Sequence, residues 1–160
     1  MLVFLPFCLV HGLAAAEQPT APAAAPFELT PLALPGAPSD GVLLDYLVVD
    51  RARHRVWVPA GGTGNVCVID TRTQELKAID KFATAEVERR GKKRMVGPSS
   101  ATVGDGFVYV GNRADAKVCA LDATTLARGG CVTIPSSPDG VAYVADGPDG
   151  KVLVVKPASR

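Results

Sequence analysis

The sequence has almost no net charge, no long apolar run and few aromatic residues, which make up 6% of the chain. Seventeen Lys and Arg are balanced by 16 Asp and Glu, which gives a formal charge of +1. Nucleic-acid binders usually carry a strong basic excess, and disordered chains combine low hydropathy with high net charge. Both classes are therefore disfavoured. No apolar run is as long as about 18 residues, which disfavours a membrane span.

Motifs that bind metals or cofactors are also missing. The four cysteines form no C-x-x-C or C-x-x-C-H motif, and no Cys/His pair has the spacing of zinc ligands. There is no G-x-S-x-G motif and no glycine-rich phosphate loop, and no paired carboxylates stand out. The sequence therefore indicates no cofactor, no metal site and no catalytic residue.

Turn-forming residues are abundant instead. The chain has 16 Gly and 13 Pro, which is typical of β structure with many turns. Short runs rich in Val, Tyr and Ile predict strands at 44–49, 55–58, 65–69, 107–110, 117–121, 131–134, 141–145 and 152–155. Helical periodicity is present only weakly, over residues 84–90. We predict an all-β fold.

The N-terminus has the composition of an export signal. Residues 1–10 are almost entirely apolar and are followed by Ala14–Ala16, an A-x-A site that predicts cleavage before Glu17. No Lys or Arg precedes the apolar stretch, and a buried helix or strand is the alternative. Residues 17–39 are rich in Pro and Ala and are expected to form an extended linker. A periplasmic or extracellular location follows from this interpretation.

An internal repeat organises the remainder. Residues 56–61 (VWVPAG) and 65–73 (NVCVIDTRT) recur at 108–112 (VYVGN) and 117–125 (KVCALDATT), with an offset of 52 at each matched position. A third, partial copy begins at Val141. Each copy predicts two strands, the second ending in Asp-x-x-Thr, where the Asp can hydrogen-bond the backbone two residues on. Such a meander needs neighbours stacked on it.

These residues resemble the YVTN-repeat β-propeller family, although NHL-type propellers share the Y-V-x-N element. The resemblance covers residues 40–160 and implies a partial propeller: blade 1 at about 40–83, a charged insertion at 84–96, blade 2 at about 97–135 and a partial blade 3 at 136–160. Propellers close into rings of about four to eight four-stranded blades. The chain is therefore expected to be the N-terminal part of a larger propeller, through truncation or a broken reading frame, or a protomer that completes a ring by oligomerising.

The insertion contains the strongest candidate binding residues. Residues 86–94 (EVERRGKKR) carry five positive and two negative charges, and in propellers this connection lies on one rim near the central channel. An unknown protein or a small anionic ligand is the expected partner, whereas a solvated charged loop is the alternative. No aromatic residue interleaves the charges, which disfavours nucleic acid. The candidate residues are Arg89, Arg90, Lys92, Lys93 and Arg94.

Two further groups of residues have structural interpretations. Strand register predicts that Cys119 and Cys131 lie nearly opposite each other, so a disulfide is expected in an oxidising compartment, with Cys67 left over. His54 is expected to be a solvated turn residue. The Asp-Gly pairs predict turns, and calcium binding at 146–150 is the alternative for the densest of them.

The function that these patterns favour is an exported binding or scaffold module without catalysis of its own. The alternative is a fragment of a propeller enzyme, of the lactonase, lyase or quinone-linked dehydrogenase type, whose site residues lie in other blades. A periplasmic electron-transfer partner is a third interpretation and rests on family-level analogy.

Overall fold

The computed structural model describes residues 29–139 and the strand segments 144–146 and 151–153. The predicted signal peptide, the first part of the predicted linker, and residues 147–150 of the predicted turn or calcium site lie outside the described residues. A division between two compact units falls after Pro31, and the architecture below is that of the second unit. No helix in the described part is long and apolar enough to cross a membrane.

Twelve β-strands and one short 3-10 turn, Gly61–Thr63, make up the described secondary structure. The strands are β1 Val48–Asp50, β2 Arg55–Pro59, β3 Val66–Asp70, β4 Leu76–Ile79, β5 Ala85–Arg89, β6 Lys92–Val96, β7 Pro98–Gly104, β8 Phe107–Asn112, β9 Lys117–Asp122, β10 Arg128–Thr133, β11 Val144–Asp146 and β12 Lys151–Leu153.

The strands form two consecutive four-stranded antiparallel meanders, β1-β2-β3-β4 and β7-β8-β9-β10. Two hairpins, β5-β6 and β11-β12, form separate two-stranded sheets. Strands β2 and β3 of the first meander match β8 and β9 of the second at the 52-residue offset of the sequence repeat. The predicted all-β fold is confirmed, and its two repeated meanders are arranged like successive blades of a partial propeller.

Some strand predictions were wrong. The weak helical periodicity over residues 84–90 does not form a helix, because residues 85–89 are strand β5. The strand expected at 44–49 begins only at Val48, and Tyr46 makes an isolated parallel bridge to Ser100. Strands β4, β6 and β7 had no counterpart in the sequence prediction. Their strand geometry depends on pairing with neighbours rather than on a dense run of β-branched residues.

The main apolar core lies between the two meanders. Trp57 is fully buried there and contributes the largest side chain. Residues from both meanders and from the segment that connects them belong to this one cluster: Trp57, Val66, Val68, Phe82, Ala101, Val108, Val110, Cys119, Leu121 and Ala123. Each meander therefore buries one face against its neighbour, as expected for stacked repeats.

Arginine side chains join the meanders at their edges. Arg55 Nη1 donates to the carbonyl of Ala123 at 2.5 Å. Arg128 donates to the carbonyls of Asp80 and Lys81, and its guanidinium lies 4.2 Å from the centre of the Phe82 ring. The Arg55 contact joins the first meander directly to the second, and the Arg128 contacts attach the second meander to the segment that follows the first one.

The other face of the first meander is covered by the N-terminal segment. Leu34 packs against the cluster of Val58, Ala60 and Cys67, and Asn65 Nδ2 donates to the Pro35 carbonyl at 2.9 Å. In the second meander, the residues matching Val58 and Cys67 at the 52-residue offset pack in the core between the meanders. The segment around Leu34 therefore covers a face of the type that packs against a neighbouring blade elsewhere in this chain.

The predicted Asp-x-x-Thr turns are confirmed in both meanders. Asp70 Oδ1 accepts hydrogen bonds from the backbone N–H groups of Arg72 and Thr73, at 2.8 and 3.1 Å. Asp122 Oδ1 accepts from Thr125 and Thr124, at 2.8 and 2.9 Å. These backbone donors stabilise the ionised carboxylates and lower the pKa of both groups.

A pH-dependent stability follows from these turns. Because the pKa of Asp122 is lower in the folded state, its carboxylate stabilises the fold above the ordinary Asp pKa of about 3.9. That stabilisation is lost as the pH falls through the folded value. Asp122→Asn should therefore lower the Tm relative to wild type at pH 7, with a difference that shrinks below about pH 4. Thermal melts at both ends of this range test it, and an equal difference at pH 7 and pH 3 would refute it.

Candidate functional site

The charged insertion forms the β5-β6 hairpin between the two meanders. Arg89 pairs with Lys92, and Arg90 and Gly91 form the two-residue turn. Both turn residues have positive φ, 53° and 72°, as a type I′ hairpin turn requires. Gly91 accepts this conformation without strain, whereas a non-glycine residue such as Arg90 is unusual in it.

Strand register separates the charges of the hairpin onto two faces. Because side chains alternate along a strand and Val87 pairs with Arg94, the side chains of Arg89, Lys92 and Arg94 share one face. We call these three residues the cationic face. The pattern in the sequence placed five candidate cations in one group, but the hairpin puts three of them together.

The remaining two candidates lie elsewhere. Lys93 is on the opposite face, where its Nζ lies 2.9 Å from the Glu86 carboxylate. That face borders a cavity of about 500 Å³ whose lining includes Glu86, Asp40 and Lys93, and which Arg94 also lines. Arg90 is at the turn, where it lines a cavity together with the three residues of the cationic face. Lys93 is therefore neutralised by a neighbour, and the cavity beside it carries charges of both signs.

The cationic face has no such neutralisation within the described residues. Neither Arg89 nor Lys92 makes an ion pair with any residue of the described segments. Arg94 is half-buried, and its Nε atom is buried with no hydrogen-bond partner in the same part of the chain. A buried guanidinium N–H without an acceptor costs free energy, and carboxylate and phosphate oxygens are the acceptors that pair most strongly with the rest of a guanidinium.

Two adjoining cavities lie along this face. One has a volume of about 500 Å³ and is lined by Arg89, Arg90, Lys92 and Arg94. The second has about 430 Å³ and shares Arg89 and Arg94 with the first. Its other walls are Val87 and Val96 of the hairpin, Arg113, and the segment 137–139. Together they form an open trough from the hairpin turn to the base of the second meander, which we call the cationic trough.

Arg113 closes the base of the cationic trough and was not singled out by the sequence. Its Nη2 lies 3.0 Å from Asp45 Oδ2 and also pairs with the Asp139 carboxylate, while its Nε donates to the Pro138 carbonyl at 3.2 Å. In the sequence, Arg113 is one charged residue in a loop after the Y-V-x-N element. Only the folded chain brings it to the hairpin.

The predicted cysteine pair lies at the outer edge of the second meander. Cys131 of β10 is directly opposite Cys119 of β9 in the register, and their sulfur atoms form a disulfide. Cys67 is free and buried, and burial raises the pKa of its thiol. Cys67 therefore has the environment of a packing residue rather than a nucleophile.

Other candidates from the sequence lie in turns. His54 is exposed in the turn between β1 and β2, where its carbonyl accepts from Thr71 N at 2.8 Å. Asp105 and Gly106 form the turn between β7 and β8, both with positive φ. No group of three or more His, Cys, Asp or Glu that could hold a metal ion is found among the residues that the structure describes.

Comparison with known proteins identifies structural neighbours only. No protein-family model and no curated protein matches the chain. Hydrazine synthase from Kuenenia stuttgartiensis is similar with a TM-score of 0.49 and 18% identity, over 68% of this chain and 27% of that chain. Apo AztD from Citrobacter koseri has a TM-score of 0.46 and 19% identity, over 64% of this chain and 28% of that one. The matches thus extend over less than a third of each neighbour.

Proposed function

We propose that this chain is a binding module of a propeller-type repeat protein, which holds an anionic partner on the cationic face and performs no catalysis of its own. The observation that carries the proposal is the arrangement of Arg89, Lys92 and Arg94 without counter-charges among the described residues, together with the orphaned Nε of Arg94. The rigid meanders on either side would present the hairpin as a fixed surface, which lowers the entropic cost of binding.

Two further properties belong to the same proposal. The repeats are of the YVTN type, which the 52-residue offset and the Y-V-x-N and Asp-x-x-Thr elements support. The protein is exported to a periplasmic or extracellular location. The Cys119–Cys131 disulfide supports export, because structural disulfides persist mainly in oxidising compartments.

Inorganic pyrophosphate is a suitable probe of the cationic face. We expect wild-type protein to bind it in isothermal titration calorimetry at about 0.1 M ionic strength, with affinity that falls as salt is added. Arg94→Gln should weaken binding at least about tenfold, because a hydrogen bond to a charged group contributes about 1.5–3 kcal/mol and about 1.4 kcal/mol corresponds to tenfold.

Lys93→Gln is the matched control for this experiment. It removes the same charge from the same strand, but on the face where Lys93 is paired with Glu86. Binding by this variant should stay within about twofold of wild type, since screening limits distant exposed charges. If Arg94→Gln and Lys93→Gln lost equal amounts of pyrophosphate affinity, net charge alone would explain the loss and the proposal would be overturned. A wild-type protein that does not bind pyrophosphate would also overturn it.

A further inference from the structure

We propose that the ligand of the cationic trough is an extended acidic segment of a partner protein, with carboxylates on alternate residues. This inference rests on the proposed function, because it names the partner of the same site. Its starting point is the spacing of the cations, which matches a peptide better than a compact anion.

The cations are spaced like the side chains of an extended chain. Lys92 and Arg94 are two residues apart on one strand and share a face, so their Cα atoms are about 6.6 Å apart. An extended peptide placed alongside has the same repeat, with every second side chain on one side. A peptide with acidic residues at alternate positions would therefore offer carboxylates at the spacing of these cations.

The trough continues beyond this pair. The two cavities share Arg89 and Arg94, and the second one reaches Arg113. Cations thus line the trough from the hairpin turn to the second meander. Arg113 at that end is already paired with Asp45 and Asp139, so the cations open to a ligand are Arg89, Lys92 and Arg94. A single phosphate or carboxylate would meet one or two of these three, whereas an extended segment can meet all of them together.

The chain itself shows how a peptide occupies one end. Residues 137–139 line the trough, and three of their groups contact Arg113. The Pro138 carbonyl accepts from Arg113 Nε, the Asp139 carboxylate pairs with the guanidinium, and Ser137 Oγ donates to the Arg113 carbonyl at 3.3 Å. The chain's own acidic segment therefore occupies the Arg113 end of the trough, and the part left open to a partner is the end with Arg89, Lys92 and Arg94.

The walls between the cations favour a peptide over a nucleic acid. Val87 is half-buried and supplies apolar surface beside Arg89 and Arg94, whereas Val96 and Pro138 line the same cavity but are buried. The described lining includes no aromatic side chain, so nucleic-acid bases would have no stacking partner there.

Two peptides of equal composition test the inference. We would measure fluorescence anisotropy of fluorescein-labelled Asp-Val-Asp-Val-Asp and Asp-Asp-Val-Val-Asp with the full chain. The alternating peptide should bind at least about fivefold more tightly than the second peptide, which has the same composition, since only the alternating one has carboxylates two residues apart on one face. Arg94→Gln should weaken the alternating peptide at least about tenfold, and Lys93→Gln should leave it unchanged. Arg89→Gln is the second variant, in case Arg94→Gln fails to fold.

The outcomes separate this inference from the function it rests on. If pyrophosphate binding depends on Arg94 but the two peptides bind equally, or neither binds, the cationic face remains an anion site and the peptide inference is overturned. If pyrophosphate binding does not depend on Arg94 and the peptides do not bind, the proposed function and the peptide inference both fail. Both are supported if wild type and Lys93→Gln prefer the alternating peptide and Arg94→Gln does not.

Discussion

Replacing Trp57 with alanine should lower the free energy of unfolding by about 3–5 kcal/mol, the usual cost of removing a large aromatic side chain from a core. Trp57 is fully buried in the cluster that both meanders share. Its loss leaves a cavity at the contact between the two repeats rather than within one of them. Because this is the only tryptophan, unfolding should be followed by circular dichroism in urea.

Two controls define what the Trp57 result means. Trp57→Phe should cost less than half as much, because the Nε1 atom has no hydrogen-bond partner among the described residues and a phenyl ring keeps much of the apolar contact. Val132→Ala, at a position that is 45% exposed on β10, should change stability by no more than about 0.5 kcal/mol. A cost below about 1 kcal/mol for Trp57→Ala would contradict tight packing between the meanders.

Breaking the Cys119–Cys131 disulfide should lower stability by about 3 kcal/mol, because the bond spans 12 residues and closes a loop in the unfolded chain. Cys131→Ser is the better variant, since Cys131 is exposed whereas Cys119 is in the core. Urea unfolding of this variant should agree with that of wild-type protein treated with dithiothreitol. A Cys131→Ser variant as stable as the oxidised wild type would contradict the expectation.

A non-reduced peptide map of the protein isolated from its native compartment tests the disulfide directly. It should join the peptides of Cys119 and Cys131, leave Cys67 unmodified by alkylating reagents until the protein unfolds, and begin at Glu17 if the chain is exported as proposed. Free thiols at both Cys119 and Cys131 would remove the support that the disulfide gives to export.

Strands with dense β-branched residues were predictable, and the others were not. Strands β2, β3, β8 and β9 combine strand-forming residues with strong turn signals, so local preference and fold agree. Strand β7 is buried over its first four residues, but these include two serines and an alanine. Small and polar residues of this kind give no hydrophobic signal in the sequence. Strand β4 is an edge strand whose two middle residues are exposed, while Leu76 and Ile79 at its ends pack on two different clusters, so it has no dense apolar run.

The sequence by itself determined the repeat, the all-β class and the Asp-x-x-Thr turns, because these depend on interactions between residues close along the chain. It also indicated that residues 86–94 concentrate positive charge. The tertiary structure alone decided which charges act together. Lys93 and Arg94 lie on opposite faces because side chains alternate along a strand, but only the pairing of Arg89 with Lys92 puts Arg89 on the same face as Arg94. A register shifted by one residue would change the partners of every side chain. Arg113 joins the trough only because the second meander packs beside the hairpin, a contact between residues far apart in the chain that local sequence does not encode.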